Sequence, residues 1–320
     1  KTVIIIGEIM SIKVNWLIAH KPVNLFIRTA KAFQEAIKDA TKGKYEIVIH
    51  EKESEEHFEA ETGKLPVTAL SCNDYQMSQT EVYKIGQMHD GVKDFLALDL
   101  PFLFESHDHC SKAMEGDLGD ELNFKLSHHL NVQGLAYTYS GGYRNFGSNT
   151  KISNLADLQN SNKIKVGGNP VCQDYIKELG VETSKQVIQS NTEWLEMSDL
   201  EAESVENTYT RFPKAKYWLN TNHNMFITDI MVSNDFWSTL SDEDQEIFRK
   251  TAIEVARLER KWSEEDHENY ELEAKKHGKT ITKISEEDKM KMKEKAIPIY
   301  EKWEKIFSDS LISKVKSYAA

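Results

Sequence analysis

The 320-residue sequence is short of the residues that staple or interrupt a chain: it has three cysteines, six prolines and fifteen glycines. Cys72, Cys110 and Cys172 lie far apart and form no Cys-x-x-Cys pair, so thiolate metal or redox chemistry is not expected and at most one disulfide can form. Positive charge is the scarcer sign, with 40 Lys and Arg against 52 Asp and Glu and a formal net charge of −12. That balance argues against a partner made of nucleic acid or anionic membrane, both of which need a basic face. An anionic ligand would need a locally positive pocket. No apolar run approaches the roughly 20 residues of a membrane span, and the opening "KTVIIIGEIM" is too short and is followed by polar chain. No signal peptide is recognisable, so a cytoplasmic protein or a mature, cleaved form is expected. The chain also lacks GxSxG, HExxH, a P-loop and a GxGxxG after a strand. Serine-, zinc- and nucleotide-based enzymes thereby lose their usual support.

What is present is a globular composition, 39% hydrophobic, 10% aromatic and 29% charged, on a length that favours two domains over one core. "IKVNWLIAH" (12–20) predicts a strand, "NLFIRTAKAFQEAIKDATKGK" (24–44) an amphipathic helix closed by Gly43, and "YEIVIHE" (45–51) a second strand. A β-α-β unit of this kind predicts a parallel pair. "DLPFLFES" (99–106), a helix over 109–130 and the strand-like 132–149 continue the alternation. Further on come "KIKVGG", a helix over "CQDYIKELG", "ETSKQVIQ" and a helical reading of "NTEWLEMSDLEAES" (191–204). "HNMFITDIMVSN" (223–234) predicts a strand that returns to the first domain. The last third is charged helix. Ser241 is its N-cap, acids fill the first turn, and Ile247, Phe248, Thr251, Val255, Leu258 and Trp262 form the predicted apolar stripe. Nearly 40 residues of helix span roughly 55 Å, enough to brace both domains.

The residues with chemistry in them are few. "HDHC" (107–110) holds possible metal ligands, but no second cluster stands at a familiar spacing, so no metal is expected. "SHH" (127–129) reads as a polar helix end, and "EKESEEHFEAE" (51–61) as a solvated helix surface. "KIKVGGNP" (163–170) is different. Lys165 lies opposite Ile164 and Val166 in a strand that two glycines end. It is either a solvated strand end or a cation facing an anion at a strand's carboxyl end. "GGYRNFGSN" (141–149) and "VENTY" (205–209) are the other polar stretches of this kind.

Taken in order, "LPFLF" (100–104), "GYRNFGSNTKISNLADLQ" (142–159), "KIKV", "ELG" (178–180), "VENTY" and "NHNMFITDIMVSNDFWSTLSDEDQEIF" make the chain resemble the DctP-type solute-binding proteins of tripartite ATP-independent periplasmic (TRAP) transporters, from about residue 12 to 315. The resemblance implies an α/β, two-lobed periplasmic-binding-protein fold, with hinge strands and a long helix spanning both lobes. Lobe I is then 1–141 plus 227–263, and lobe II 142–226 plus 264–320. It implies a periplasmic mature protein that binds a small organic anion, delivers it to the permease's membrane subunits, and needs neither cofactor nor metal. A monomer is expected.

The family's central strand reads K-[IL]-R-V-P, and its arginine clamps the ligand carboxylate through two hydrogen bonds. Here that position is Lys165, with Gly167 for the proline. The swap keeps the attraction and loses the planar fork. The resemblance also puts Arg144, Asn207 and Gln79 at ligand-facing positions, with His20 and Asn24 where contacts are common and Trp194 and Tyr209 as apolar wall or plain core. Two other readings stay open: a ligand-sensing module of a receptor, and an enzyme on a similar scaffold using Glu206 or His223 as acid or base.

Overall fold

The computed structural model describes residues 11–20, 24–148, 150–160, 164–165, 169–181, 183–184, 195–198, 216–276 and 278–319. Strand β1 (Ile12–Ile18), helix α1 (Asn24–Ala40) and strand β2 (Tyr45–Glu51) form the expected unit. The strands pair in parallel, from Ile12 opposite Tyr45 to Ile18 opposite Glu51. Helix α1 buries Phe26, Ala30, Phe33 and Ile37, and the Phe33 ring meets Trp16 of β1 at 5.2 Å between centroids. It stops at Ala40 rather than 44, because Gly43 takes φ +78° and donates its N–H back to the Lys38 carbonyl at 2.8 Å.

Helices α2 (Glu55–Thr62) and α3 (Pro66–Ser71) lead to strand β3 (Met77–Glu81), helix α4 (Val82–Gly86) and a 3-10 helix (Asp90–Asp99). Residues 100–106 are not a strand but a largely buried turn, with Phe102 at φ +57°. The helix expected over 109–130 is two, α5 (His107–Glu115) and α6 (Asp117–Leu130), broken at Gly116, where a Cβ would meet the Tyr318 ring at 2.8 Å. Then follow β4 (Val132–Tyr143), β5 (Asn145–Ser148), α7 (Leu155–Gln159), β6 (Ile164–Lys165), α8 (Pro170–Glu178) and β7 (Thr183–Ser184). Leu195–Ser198, read as helix from sequence, is strand β8. Pairing with β5 on one side and β6 on the other overrides its local preference. The chain closes with β9 (Tyr217–Asn220), β10 (Met225–Ser233), α9 (Asn234–Trp237), α10 (Asp242–Lys276), β11 (Thr280–Lys283), α11 (Glu286–Trp303) and α12 (Leu311–Ser317).

Among the described residues the strands make two sheets, in the orders β2-β1-β3-β10-β4 and β11-β9-β5-β8-β6-β7. Strand β10 returns to the first sheet as expected, antiparallel to β3 and β4. The crossings between sheets are short. Arg144 alone separates β4 from β5, and Thr221–Asn224 separate β9 from β10. The third link is α10, whose 35 residues run about 52 Å. Packing divides the C-terminal segment: α11 lies against α8, whereas α12 reaches the first-sheet side, where His109 meets the Val315 carbonyl at 2.8 Å.

The inward stripe of α10 includes Phe248, Thr251, Ala252, Val255 and Ala256. Leu258, expected on that stripe, is 39% exposed, and the neighbouring Glu259 is fully buried instead. Strand β4 is the sheet's edge, so its outward N–H and C=O groups need partners. Glu259 accepts from the Tyr139 N–H at 2.9 Å, and Arg260 donates to the Tyr137 carbonyl at 2.6 Å. The long helix is thus tied by side chains to the strand that leads into the crossing.

Candidate functional site

Arg144 sits where the sheets meet. Its backbone N–H donates to the Asn224 carbonyl of the other crossing at 2.8 Å, and its guanidinium stacks over Phe226 at 4.1 Å. The half-buried side chain lies within the electrostatic reach of Glu81 from the first sheet and His223 from the second crossing.

From the first sheet comes an ionic wall. His20 follows β1 and packs on Phe26 with the rings tilted by 34° and the centroids 4.6 Å apart. Its Nε2 is 3.0 Å from Glu55 Oε1 and 3.7 Å from Glu81 Oε1. Lys84 pairs closely with Glu55 and stands 3.6 Å from Glu81 Oε2. The local sequence explains the arrangement: Ser54 caps α2 and so fixes Glu55 in its first turn, while Glu81 ends β3 and Lys84 follows one turn later in α4. Burial works against ionising Glu81, but Lys84, His20 and Arg144 override it and hold the carboxyl down at about 2. Burial likewise opposes the charge on Lys84, and Glu81 and Glu55 override it and raise its pKa. Outside the Glu55–Lys84 pair lies a cavity of about 430 Å³ whose lining includes Glu59, Leu65, Tyr83 and Met88.

The facing wall is neutral. His223 lies flat on Phe146, the centroids 4.7 Å apart, with Nδ1 2.7 Å from Thr221 Oγ1. Burial, aided by the Arg144 charge, pushes it down to about 3. An imidazole that stays neutral to that pH is poorly matched to general acid–base work near neutrality. Asn145 Oδ1 accepts the N–H groups of Thr221 and Asn222 at 2.8 and 3.0 Å and so shapes the crossing. Asn224 donates to Cys172 Sγ at 3.4 Å. The Cys172 N–H in turn donates to Asn169 Oδ1, the cap of α8, at 3.2 Å.

Of the residues expected at the site, Arg144 and His20 join this cluster. Gln79 is buried in mid-sheet, donating to Thr138 Oγ1 at 2.8 Å and Thr228 Oγ1 at 3.1 Å. Glu81, two residues further on the same strand, reaches His20. Asn24 opens α1, half-buried. For Lys165 the described part is the backbone, in register with Ser184 and Glu196. Asn207, Trp194 and Tyr209, like Glu206, lie outside the described residues. Sequence reading missed Glu55, Glu81 and Lys84 as site residues, taking Glu55 for solvated surface. The i, i+3 spacing of Glu81 and Lys84 was the available signal, though it marks exposed helices as often. His107, His109 and Cys110 of the histidine-rich stretch serve helix packing: His109 Nδ1 accepts the Glu105 N–H at 3.1 Å.

Residues 19–306 match the sequence profile of DctP, described as bacterial extracellular solute-binding protein, family 7. The C4-dicarboxylate-binding protein DctB of Bacillus subtilis is 22% identical over 254 residues, which cover 78% of this chain and 71% of the relative. The sugar acid binding protein DctPAm from Advenella mimigardefordensis, solved with galactonate, has a TM-score of 0.82 at 18% identity and covers 97% of this chain and 98% of its own. A TRAP periplasmic solute binding protein from Shewanella oneidensis, solved with succinate, gives 0.80 at 18% identity over 97% and 100%. At these identities the structures speak for the fold, and they agree with the expected two-lobed α/β architecture.

Proposed function

Because this chain belongs to family 7 of the bacterial extracellular solute-binding proteins, we propose that it captures a small organic anion between its lobes and delivers it to the membrane subunits of a TRAP permease. It is a solute-binding protein and not an enzyme. The observation that carries the reading is the place of Arg144: a cation at the single-residue step between the two sheets, in the fields of groups from both. A solute bound there touches both lobes, so its binding energy favours the closed arrangement. Relatives named for C4-dicarboxylates and neighbours solved with galactonate or succinate support an organic acid.

In this proposal Lys165 adds a second positive charge, Asn207 a hydrogen bond, and Trp194 and Tyr209 apolar wall, with Asn24 and Gln79 nearer the rim and the sheet interior. Lobe I is 1–141 plus 227–263 and lobe II 142–226 plus 264–320, the last helix of lobe II, α12, reaching back to pack on the first-sheet side, and the mature periplasmic protein acts as a monomer. Calorimetry against small organic acids tests it. Arg144→Ala and Lys165→Ala should each weaken binding of the best acid at least about thirtyfold. Wild-type affinity in both variants would sink the reading.

A further inference from the structure

The family spans solutes of different chemistry, and the side chains around Arg144 carry a narrower requirement. Among the described residues, the buried polar atoms there without a hydrogen-bond partner include Glu81 Oε2, Asn224 Oδ1 and Asn169 Nδ2, the first with Lys84 Nζ 3.6 Å away as an ionic neighbour. Their residues are 9%, 3% and 3% exposed. They are not scattered. Glu81 lies in the field of the Arg144 guanidinium, Asn224 holds the Arg144 backbone, and Cys172 links Asn224 to Asn169 at the start of α8. Buried groups of this kind are costly unless something satisfies them.

These three are two acceptors and one donor, and Asn222 Oδ1 of the same crossing is a further acceptor. An unsubstituted dicarboxylate offers acceptors only: it could serve Asn169 Nδ2 but neither Glu81 Oε2 nor Asn224 Oδ1, and its second carboxylate would bring another anion towards Glu55 and Glu81. An ammonium group could serve the two acceptors but not Asn169. A hydroxyl both donates and accepts.

Resting on the anion-binding reading above, we propose that the solute is a hydroxylated monocarboxylate, with its carboxylate at Arg144 and its hydroxyls on Glu81, Asn224 and Asn169. Glu81 and Asn224 are then specificity-determining residues, and the chain discriminates against unsubstituted members of the C4-dicarboxylates for which the Bacillus subtilis relative is named. Sites built to hydrogen-bond a hydroxyl reject analogues lacking it far more strongly than apolar pockets reject a methylene.

The test is calorimetry on the full chain with two probe sets: galactonate, gulonate and glucuronate against succinate, fumarate and glutarate. The tightest hydroxy acid should bind at least about tenfold better than the tightest dicarboxylate. Glu81→Gln and Asn224→Leu, each checked for a single cooperative melting transition well above the assay temperature, should cut that ratio at least about threefold, chiefly by weakening the hydroxy acid. A dicarboxylate that matches or beats every hydroxy acid overturns the inference and leaves the anion reading standing. An unchanged ratio in both variants also overturns it. If neither set binds, the anion reading falls and takes the inference with it.

Discussion

The two walls that meet at Arg144 are built from opposite chemistry. The first-sheet wall is ionic: Glu55 and Glu81 face Lys84 and His20, and the charges answer one another. The second wall is neutral, made of Asn169, Thr221, Asn224 and a histidine held uncharged. Buried charges depend on their partners, whereas buried amides tolerate replacement more readily. The difference assigns fold stability mainly to the first wall and discrimination among solutes mainly to the second, with Glu81 serving both.

The largest effect should come from breaking the ionic wall. Lys84→Met leaves Glu55, 1% exposed, and Glu81 with His20 and Arg144 as the cations among the described residues that answer them. Loss of one partner from a buried ion pair costs about 3–5 kcal/mol, measured as a fall in denaturant midpoint at constant slope. Adding Glu55→Gln should recover part of the loss, because one of the stranded carboxylates is then gone. A Lys84→Met protein as stable as wild type would show that the wall does not depend on its internal pairing.

A smaller effect tests the neutral wall through pH. His223 stays neutral in the folded protein down to about 3, against about 6.5 unfolded. Above pH 6.5 it is neutral in both states and adds no pH dependence. Below that, the unfolded chain takes up a proton that the folded chain refuses, so stability falls as pH drops, by about 1.4 kcal/mol per unit and about 2 kcal/mol by pH 5. Glu81, with a folded value of about 2 against the ordinary 4.5, contributes stability that begins to be lost only below pH 4.5. Denaturation of His223→Gln should therefore show a flatter fall from pH 6.5 down to about 3, read most cleanly above pH 4.5 where Glu81 adds nothing, with the Glu81 part of the fall kept below that. Parallel curves for variant and wild type would mean that His223 is not the neutral member of this wall.

Legibility in the sequence followed the range of the interactions involved. The β1-α1-β2 unit and α10 were readable because periodicity and caps are local: Phe26, Ala30, Phe33 and Ile37 form one face, and Ser241 accepts the Asp244 N–H at 3.2 Å as an N-cap should. Arg144 was readable through its surroundings, "GYRNF". The strand at Leu195–Ser198 was not, since its pairing partners Asn145–Ser148 and Ile164–Lys165 lie 30 residues or more away. Glu259 was hidden for a related reason. A carboxylate on a charged helix reads as solvent-facing, and only the edge of β4 gives it an N–H to accept. Glu55 and Glu81 likewise look like ordinary surface acids until the sheet folds Lys84 and His20 over them.

The smallest predicted effect separates burial from charge within the first lobe. Lys52 and Glu61 form a pair with the same chemistry as Lys84 and Glu55, at 2.7 Å, but the two side chains are 32% and 43% exposed. Each end keeps much of its hydration, and dissolved salt screens the attraction. If burial gives the ionic wall its weight, Lys52→Met should shift the melting midpoint by no more than repeat measurements scatter. Raising the salt from 0.05 to 1 M should erase whatever difference remains. Lys84→Met, whose stranded carboxylates are shielded from the added ions, should keep most of its loss at the same high salt. A Lys52→Met loss as large as that of Lys84→Met, and equally insensitive to salt, would mean that ion pairing anywhere on this lobe governs stability, and the contrast between the two walls would lose its physical basis.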